Sequence, residues 1–172
     1  MINSWLDKNF DKLVDIRRWL HQHPEVGFQE YQTSEYCQSI LKKLGLKIHQ
    51  NQKMRTGFYA EYGNGNGPVI AVRCDLDALP IKEINDIEYS SLNLGISHAC
   101  GHDAHLTNVL GLAMYLVELK IDIPGKVRFI FQPAEEIAPG GAVMMIEAGA
   151  IEGVGHIIGG HILPALNPHK IG

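Results

Sequence analysis

The chain has 172 residues, of which 45% are hydrophobic and 20% are charged, proportions that are ordinary for a globular protein. This length is enough for one domain with a substantial core, or for one domain and part of another. The net charge of −4 excludes the basic surface that binds nucleic acid or an anionic membrane. No apolar run approaches the ~20 residues that span a bilayer.

The N-terminus and the cysteines indicate the cellular compartment of the protein. The first eight residues lack the basic and apolar regions of a signal peptide. The chain has three cysteines, and an odd number does not suggest a disulfide framework. We therefore expect a protein of the cytoplasm, a reducing compartment.

Helical and strand-like patterns alternate along the chain. Apolar residues at helical spacing predict a helix from Ser4, as N-cap, to His21, and a second from Thr33 to Leu44 that ends at Gly45. Further elements are predicted as strands at 58–62, 69–73, 126–131 and 157–162 and as helices at 105–119 and 140–148. This alternation predicts an α/β sheet with helices on both faces.

The segment 98–105 concentrates side chains that bind metal ions: His98, Cys100, His102, Asp103 and His105. Imidazole and thiolate are good ligands for zinc, manganese, nickel or cobalt, and a short polar loop lets them converge. The alternative is a polar loop whose histidines only cap and hydrogen-bond, but the density of ligand types favours a metal site. Spacing alone leaves the choice among the three histidines open. Asp103 is a candidate to orient a metal-bound imidazole.

Four carboxylates follow predicted strands. Glu135 and Glu136 are neighbours, so one side chain can bind metal while the other faces a substrate. Alone they would be a solvated acidic turn, but beside the Cys/His segment they predict the general base of a metallohydrolase. Asp75 and Asp77 are a weaker signal, because carboxylates in turns often bond to the local backbone. His161 alone, at a predicted strand end, is more often structural.

Five segments occur together in a recognisable order: 21–27 (HQHPEVG), 73–80 (RCDLDALP), 98–105 (HACGHDAH), 131–136 (FQPAEE) and 160–161 (GH). They resemble the amidohydrolase branch of the M20 metallopeptidases, which includes hippurate hydrolases, N-acyl-amino-acid amidohydrolases and N-acetyldiaminopimelate deacetylases. The resemblance implies a zinc-exopeptidase-like catalytic domain with a mixed, mostly parallel sheet.

The resemblance also implies roles for single residues. It implies that two divalent ions (Mn, Zn, Ni or Co) are bound by Cys100, His102, Glu136 and His161. Glu135 would be the general base that activates water, and Asp75 matches an active-site acid of related deacetylases. The implied reaction is hydrolysis of the amide bond of a small-molecule N-acyl amino acid, which releases a carboxylic acid and a free amino acid.

Members of this family are longer than this chain, with a lid or dimerisation domain inserted in the catalytic domain. The resemblance implies that residues 1–172 are the N-terminal part of that catalytic domain and stop within a strand-like segment at 168–172. The lid domain and the C-terminal part, with a further ligand histidine, would be absent, and the full-length form would be a homodimer. The alternative is an inactive remnant that binds metal or a partner. A redox or metal-storage role for Cys100 is disfavoured by the glutamate pair.

Overall fold

The computed structural model describes residues 2–163 and 165–167, so the predicted strand-like segment at 168–172 lies outside the described residues. The helices are α1 (Ile2–Gln22), α2 (Tyr31–Lys43), α3 (His102–Glu118) and α4 (Gly141–Glu147). The strands are β1 (Ile48–His49), β2 (Phe58–Tyr62), β3 (Val69–Asp75), β4 (Lys126–Gln132) and β5 (Val154–Gly159), with a short 3-10 turn at Gln52–Met54. Among the described helices, none is both long and apolar enough to cross a membrane.

The strands form one mixed sheet in the order β1-β2-β4-β3-β5. β3 pairs in parallel with β4 and with β5, whereas β2 is antiparallel to β1 and β4. Parallel neighbours need a crossover, and α3 provides it between β3 and β4. The chain then passes from β4 through α4 to β5, which lies on the other side of β3. The predicted α/β class with a mixed sheet is confirmed, and its parallel part contains the longest pairing, between β3 and β4.

Helices cover both faces of this sheet, as predicted. Side chains alternate between the two faces of a strand. On one face, Phe58, Phe129 and Phe131 pack with apolar residues of α1, α2 and α3. On the other, Ile130 packs in a smaller cluster with Met145 of α4. Burial of two opposite faces explains why β4 is almost continuously buried.

Several element boundaries differ from the sequence prediction. α3 begins at His102 rather than at residue 105, after Gly101 in a left-handed conformation with φ of 88°. The last strand was predicted at 157–162, which is wrong by three residues, because its pairing with β3 begins at Val154. Ser4 lies inside α1 and not at its N-cap. The two-residue β1 was missed because so short a strand leaves no periodic pattern.

The parallel strands direct the candidate residues to one edge of the sheet. Carboxyl ends of neighbouring parallel strands lie at the same edge. Asp75 ends β3, Glu135 and Glu136 follow β4, and His161 follows β5. The first turn of α3 begins at the same edge with His102. The fold thus assembles residues that are widely separated in sequence.

Candidate metal centre

His102 is the centre of the candidate site. Its side chain is 1% exposed, and its Nδ1 lies 2.8 Å from the backbone oxygen of Asp77 and 3.5 Å from Asp77 Oδ1. A neutral imidazole in this position donates Nδ1–H and keeps a free lone pair on Nε2. That Nε2 is buried without a hydrogen-bond partner, an unfavourable state for a polar atom. The arrangement is the one by which proteins orient metal-binding imidazoles.

Two groups of candidate ligands that the sequence pointed to surround His102. Cys100 and His161 form one group with it, in which Cys100 Sγ lies 3.2 Å from His161 Nε2. Glu135 and Glu136 form a second group, with carboxylate oxygens 3.9 and 3.7 Å from His102 Nε2. In each group the donor atoms all lie within 4.8 Å of one another. The structure therefore brings together the four residues that the sequence proposes as ligands and the glutamate that it proposes as general base.

Asp75 and His105 form a third group with His102. Asp75 Oδ2 lies 3.9 Å from His102 Nε2 and 3.7 Å from His105 Nδ1. Arg73 Nη1 donates to the same Asp75 oxygen at 2.9 Å. His105 Nε2 accepts the backbone N–H of Ile162 at 3.0 Å. These contacts join β3, α3 and the chain after β5, so Asp75 lies where it can orient the two imidazoles.

The three histidines that spacing left open occupy different environments. Within the described residues, His102 belongs to all three candidate ligand groups, His105 to one and His98 to none. His98 is buried, and burial lowers its pKa to about 4, which keeps the ring neutral. The tertiary structure thus distinguishes the three histidines, which their spacing in the eight-residue motif could not do.

Negative charge dominates the site electrostatics. Burial opposes ionisation of Asp77, but hydrogen bonds from His102 and from the N–H of Glu136 lower its pKa. Burial also opposes a charge on His102, yet Asp77 and Asp75 raise its pKa. Burial is the main cause that raises the pKa of the Cys100 thiol to about 12, and a hydrogen bond with Glu136 is the next. A divalent cation would reverse this repulsion and stabilise the thiolate, so the donor set fits one.

Asp103 does not have the orienting role that the sequence suggested. Its carboxylate Oδ2 lies 2.8 Å from Arg17 Nε and 2.8 Å from His21 Nδ1. Because α3 already begins at His102, the next side chain is rotated by about 100° around the helix and faces α1. The prediction for Asp103 is therefore wrong, and Asp77 holds His102 instead.

Two further residues that contact the site region were not singled out from the sequence. Arg73 lies two residues before Asp75 on β3, and strand alternation, which puts the two side chains on one face, could have identified it. Glu30 binds the backbone of Ala134 from the start of α2. No sequence signal distinguishes that contact from an ordinary acidic residue at a helix start.

The fold and this cluster define an α/β protein with a metal-ligand site at the carboxyl ends of parallel strands. The model of the peptidase family M20/M25/M40 matches residues 71–172, more than half of the chain. The chain belongs to this family, and the resemblance seen in the sequence is confirmed.

Known relatives are similar over nearly all of this chain. An N-acyl-L-amino acid amidohydrolase of Geobacillus stearothermophilus is 44% identical over 99% of the chain and 46% of its own length. An N-acetylcysteine deacetylase of Bacillus subtilis is 45% identical over 96% of the chain and 44% of its own length. A crystal structure of a Bacillus subtilis dinuclear metal-binding M20 peptidase has a TM-score of 0.86 and 44% identity over 91% of this chain and 44% of its own. The chain thus spans less than half the length of these relatives.

Proposed function

We propose that the protein carrying this chain hydrolyses the amide bond of N-acyl amino acids with the help of divalent metal ions. One observation carries the proposal: the buried Nε2 of His102 has no hydrogen-bond partner and faces Glu135 and Glu136, while Asp77 fixes Nδ1. The names of two relatives, an amidohydrolase and a deacetylase, support the substrate class.

In this proposal the metal ligands are Cys100, His102, Glu136 and His161. Thiolate, imidazole and carboxylate together accept several divalent ions, with Mn, Zn, Ni and Co as candidates. Bound ions would lower the pKa of water and polarise the acyl carbonyl. A dinuclear relative supports two ions per site.

Glu135 is the proposed general base. Its side chain is 41% exposed, against 20% for Glu136, so it is the one of the pair that a substrate and water can reach. Glu135 would take the proton of the attacking water and return it to the leaving amine. Asp75 would not take this proton, and its negative charge would orient the imidazoles of His102 and His105.

We further infer that residues 1–172 are the N-terminal part of a longer protein's catalytic domain, whose remainder adds a lid or dimerisation domain and a further ligand histidine. The relatives, which are more than twice as long, support this inference. The Cys100–His161 side of the cluster is exposed, which leaves room for another ligand. The homodimer, the metal identity and the cytoplasmic location stay predictions.

The first test measures metal per chain in purified 1–172 and in a Cys100→Ser variant, and then in a longer natural chain if 1–172 binds none. We expect bound Mn²⁺ or Zn²⁺ that falls in the variant, because a thiolate ligand is lost. An unchanged metal content in Cys100→Ser would contradict the proposed ligand set.

The second test measures hydrolysis of N-acetyl-L-methionine by the metal-loaded protein that carries this chain. Glu135→Gln should keep its metal and lose about 10²–10⁴-fold in kcat, the usual contribution of a general base. Full hydrolysis by a metal-loaded Glu135→Gln protein would refute the role of Glu135. Metal binding without hydrolysis by the wild type would instead support the alternative of a metal-binding remnant.

A further inference from the structure

Glu30 is a fully buried carboxylate at the start of α2, with 0% exposure. Its Oε1 accepts the backbone N–H of Ala134 at 2.8 Å, and its Oε2 accepts the hydroxyl of Thr56 at 2.6 Å. Glu30 occupies the N-cap position of α2, but its side chain makes no capping bond to the helix. A buried carboxylate is unfavourable unless its hydrogen bonds compensate, so its partners explain why it is there.

The partner Ala134 lies in an unusual turn. It immediately precedes Glu135 and has a φ of 48°, a left-handed conformation that a residue with a Cβ rarely adopts. The residue before it is Pro133, which has no N–H to donate. The N–H of Ala134 is thus the first donor after β4, and Glu30 binds it. Such a conformation persists where the surroundings hold it in place.

The segment that carries Glu30 lies directly against this turn. A Cβ added to Gly27 would lie 2.9 Å from Ile137 Cδ1 and 3.1 Å from Ala134 Cα. Any larger side chain at position 27 would therefore push the two segments apart. The glycine permits a close approach, which brings the carboxylate of Glu30 to the backbone of Ala134.

The two ends of the turn have separate anchors. Glu30 binds the N–H of Ala134, and Asp77 Oδ2 accepts the N–H of Glu136 at 2.9 Å. Glu135 lies between these two bonds. Its side chain is the more exposed of the glutamate pair, so its direction depends mainly on the backbone that carries it.

We propose that Glu30 is a positioning residue for Glu135, which acts by holding the turn at Ala134 in place. This inference rests on the proposed function, because it needs Glu135 to act as the base. Loss of Glu30 would let the turn relax away from its left-handed conformation. Glu135 would then be misplaced, whereas Glu136 would keep its bond to Asp77.

The test compares Glu30→Ala with Glu30→Gln in the metal-loaded protein. A glutamine keeps an oxygen for the N–H of Ala134 and can donate to Thr56, whose hydroxyl can also accept. We expect about a 10- to 100-fold loss of kcat in Glu30→Ala, the scale of a small misplacement of a catalytic group. Bound metal and the KM for N-acetyl-L-methionine should stay near the wild-type values. Glu30→Gln should retain most of the activity.

A matched control uses another glutamate of the same region. Glu25 caps α2 through the N–H and hydroxyl of Thr33 at 2.8 Å, and within the described residues its side chain makes no bond to the turn. Glu25→Ala should lower stability without a selective loss of kcat. Where Glu30→Ala does not fold, Thr56→Val removes the other partner of Glu30 and should shift kcat in the same direction.

Amide hydrogen exchange tests the contact without any activity. The N–H of Ala134 should exchange slowly in the wild type and in Glu30→Gln, and faster in Glu30→Ala. In a Glu135→Gln background, Glu30→Ala should cost no further activity, because residues that act together are not additive. An equal loss in both backgrounds, or unchanged exchange at Ala134, would overturn the inference. A wild type without hydrolysis would overturn the proposed function, while the exchange experiment would still decide whether Glu30 holds the turn.

Discussion

At the scale of single residues, Asp77 connects two parts of the candidate site. Its backbone oxygen and carboxylate both face His102 Nδ1, and its other carboxylate oxygen accepts the N–H of Glu136. Its side chain is fully buried. One residue therefore sets both the tautomer of an imidazole and the position of a carboxylate.

Asp77→Asn tests this connection with a side chain of nearly the same shape. We expect about a 10- to 100-fold weaker affinity for Zn²⁺ or Mn²⁺, because orienting partners of metal ligands contribute on that scale. The measurement is competition against a chelator of known affinity. Asp122→Asn, at an exposed position, is the matched control. Equal affinities in the two variants would show that Asp77 does not act on the metal site.

The sequence identified the candidate ligands better than their supporting partners. Ligand types such as Cys100 and His102 form a dense local motif, and that density is visible in one dimension. The partner of His102 could not be chosen in the same way. Asp103 is adjacent to His102 in sequence, but the helix turns its side chain towards α1. Asp77, which contacts His102 instead, comes from the segment that follows β3.

At the scale of elements, a buried charged cluster joins α1, α3 and the long segment between β3 and α3. His21 lies 2.8 Å from Asp103 Oδ2 through Nδ1 and 2.9 Å from Glu83 Oε1 through Nε2. Arg17 also binds Asp103. Both ring nitrogens face carboxylates, so only the imidazolium can donate to both. The cluster explains His21, the first residue of the HQH segment at the end of α1, in structural terms.

This cluster predicts a pH dependence of stability. Hydrogen bonds to Asp103 and Glu83 outweigh burial and raise the pKa of His21 above its ordinary 6.5. Its stabilisation is therefore fully present below about pH 6.5 and is lost as pH rises through the raised pKa. Asp103 and Glu83 have lowered pKa values, so their contributions are lost only as the pH falls through those values.

Urea unfolding of the wild type and of His21→Gln between about pH 6 and 9 checks this dependence. The difference in unfolding free energy between the two should be largest near the acidic end and should shrink towards the alkaline end. Gln22→Asn, in the next and more exposed position of α1, serves as a control with no titratable group. A difference that does not change with pH would contradict a charged His21.

At the scale of the whole molecule, β5 forms an open edge of the sheet. Within residues 2–163 and 165–167 it pairs only with β3. Ile157 and Ile158 are 57% and 58% exposed, on opposite faces of the strand. Unpaired backbone groups beside exposed apolar side chains favour edge-to-edge association.

We expect purified 1–172 to associate through this edge in a concentration-dependent way. Ile158→Lys should reduce the association, because charged side chains on an edge strand oppose pairing. Light scattering coupled to size-exclusion chromatography measures the effect. Ile84→Lys changes an isoleucine that is 90% exposed in a loop and should have little influence. Association that persists unchanged in Ile158→Lys would place the contact elsewhere.

The sequence alone determined the α/β class, the order of the main elements and the group of residues from which the candidate site is drawn. These features depend on local periodicity and on the density of ligand-type side chains, both of which are readable along the chain. The family followed from the joint order of five short segments.

The tertiary structure decided which neighbours hold those residues in place. The register of β5 on β3, the bond from His102 to the backbone oxygen of Asp77 and the bond from the N–H of Ala134 to Glu30 all join segments distant in sequence. Sequence patterns do not encode such contacts, because they depend on strand order and on the rotation of helices against the sheet. Packing selects one partner among several side chains of equal chemistry, which is why Asp77 and not Asp103 faces His102.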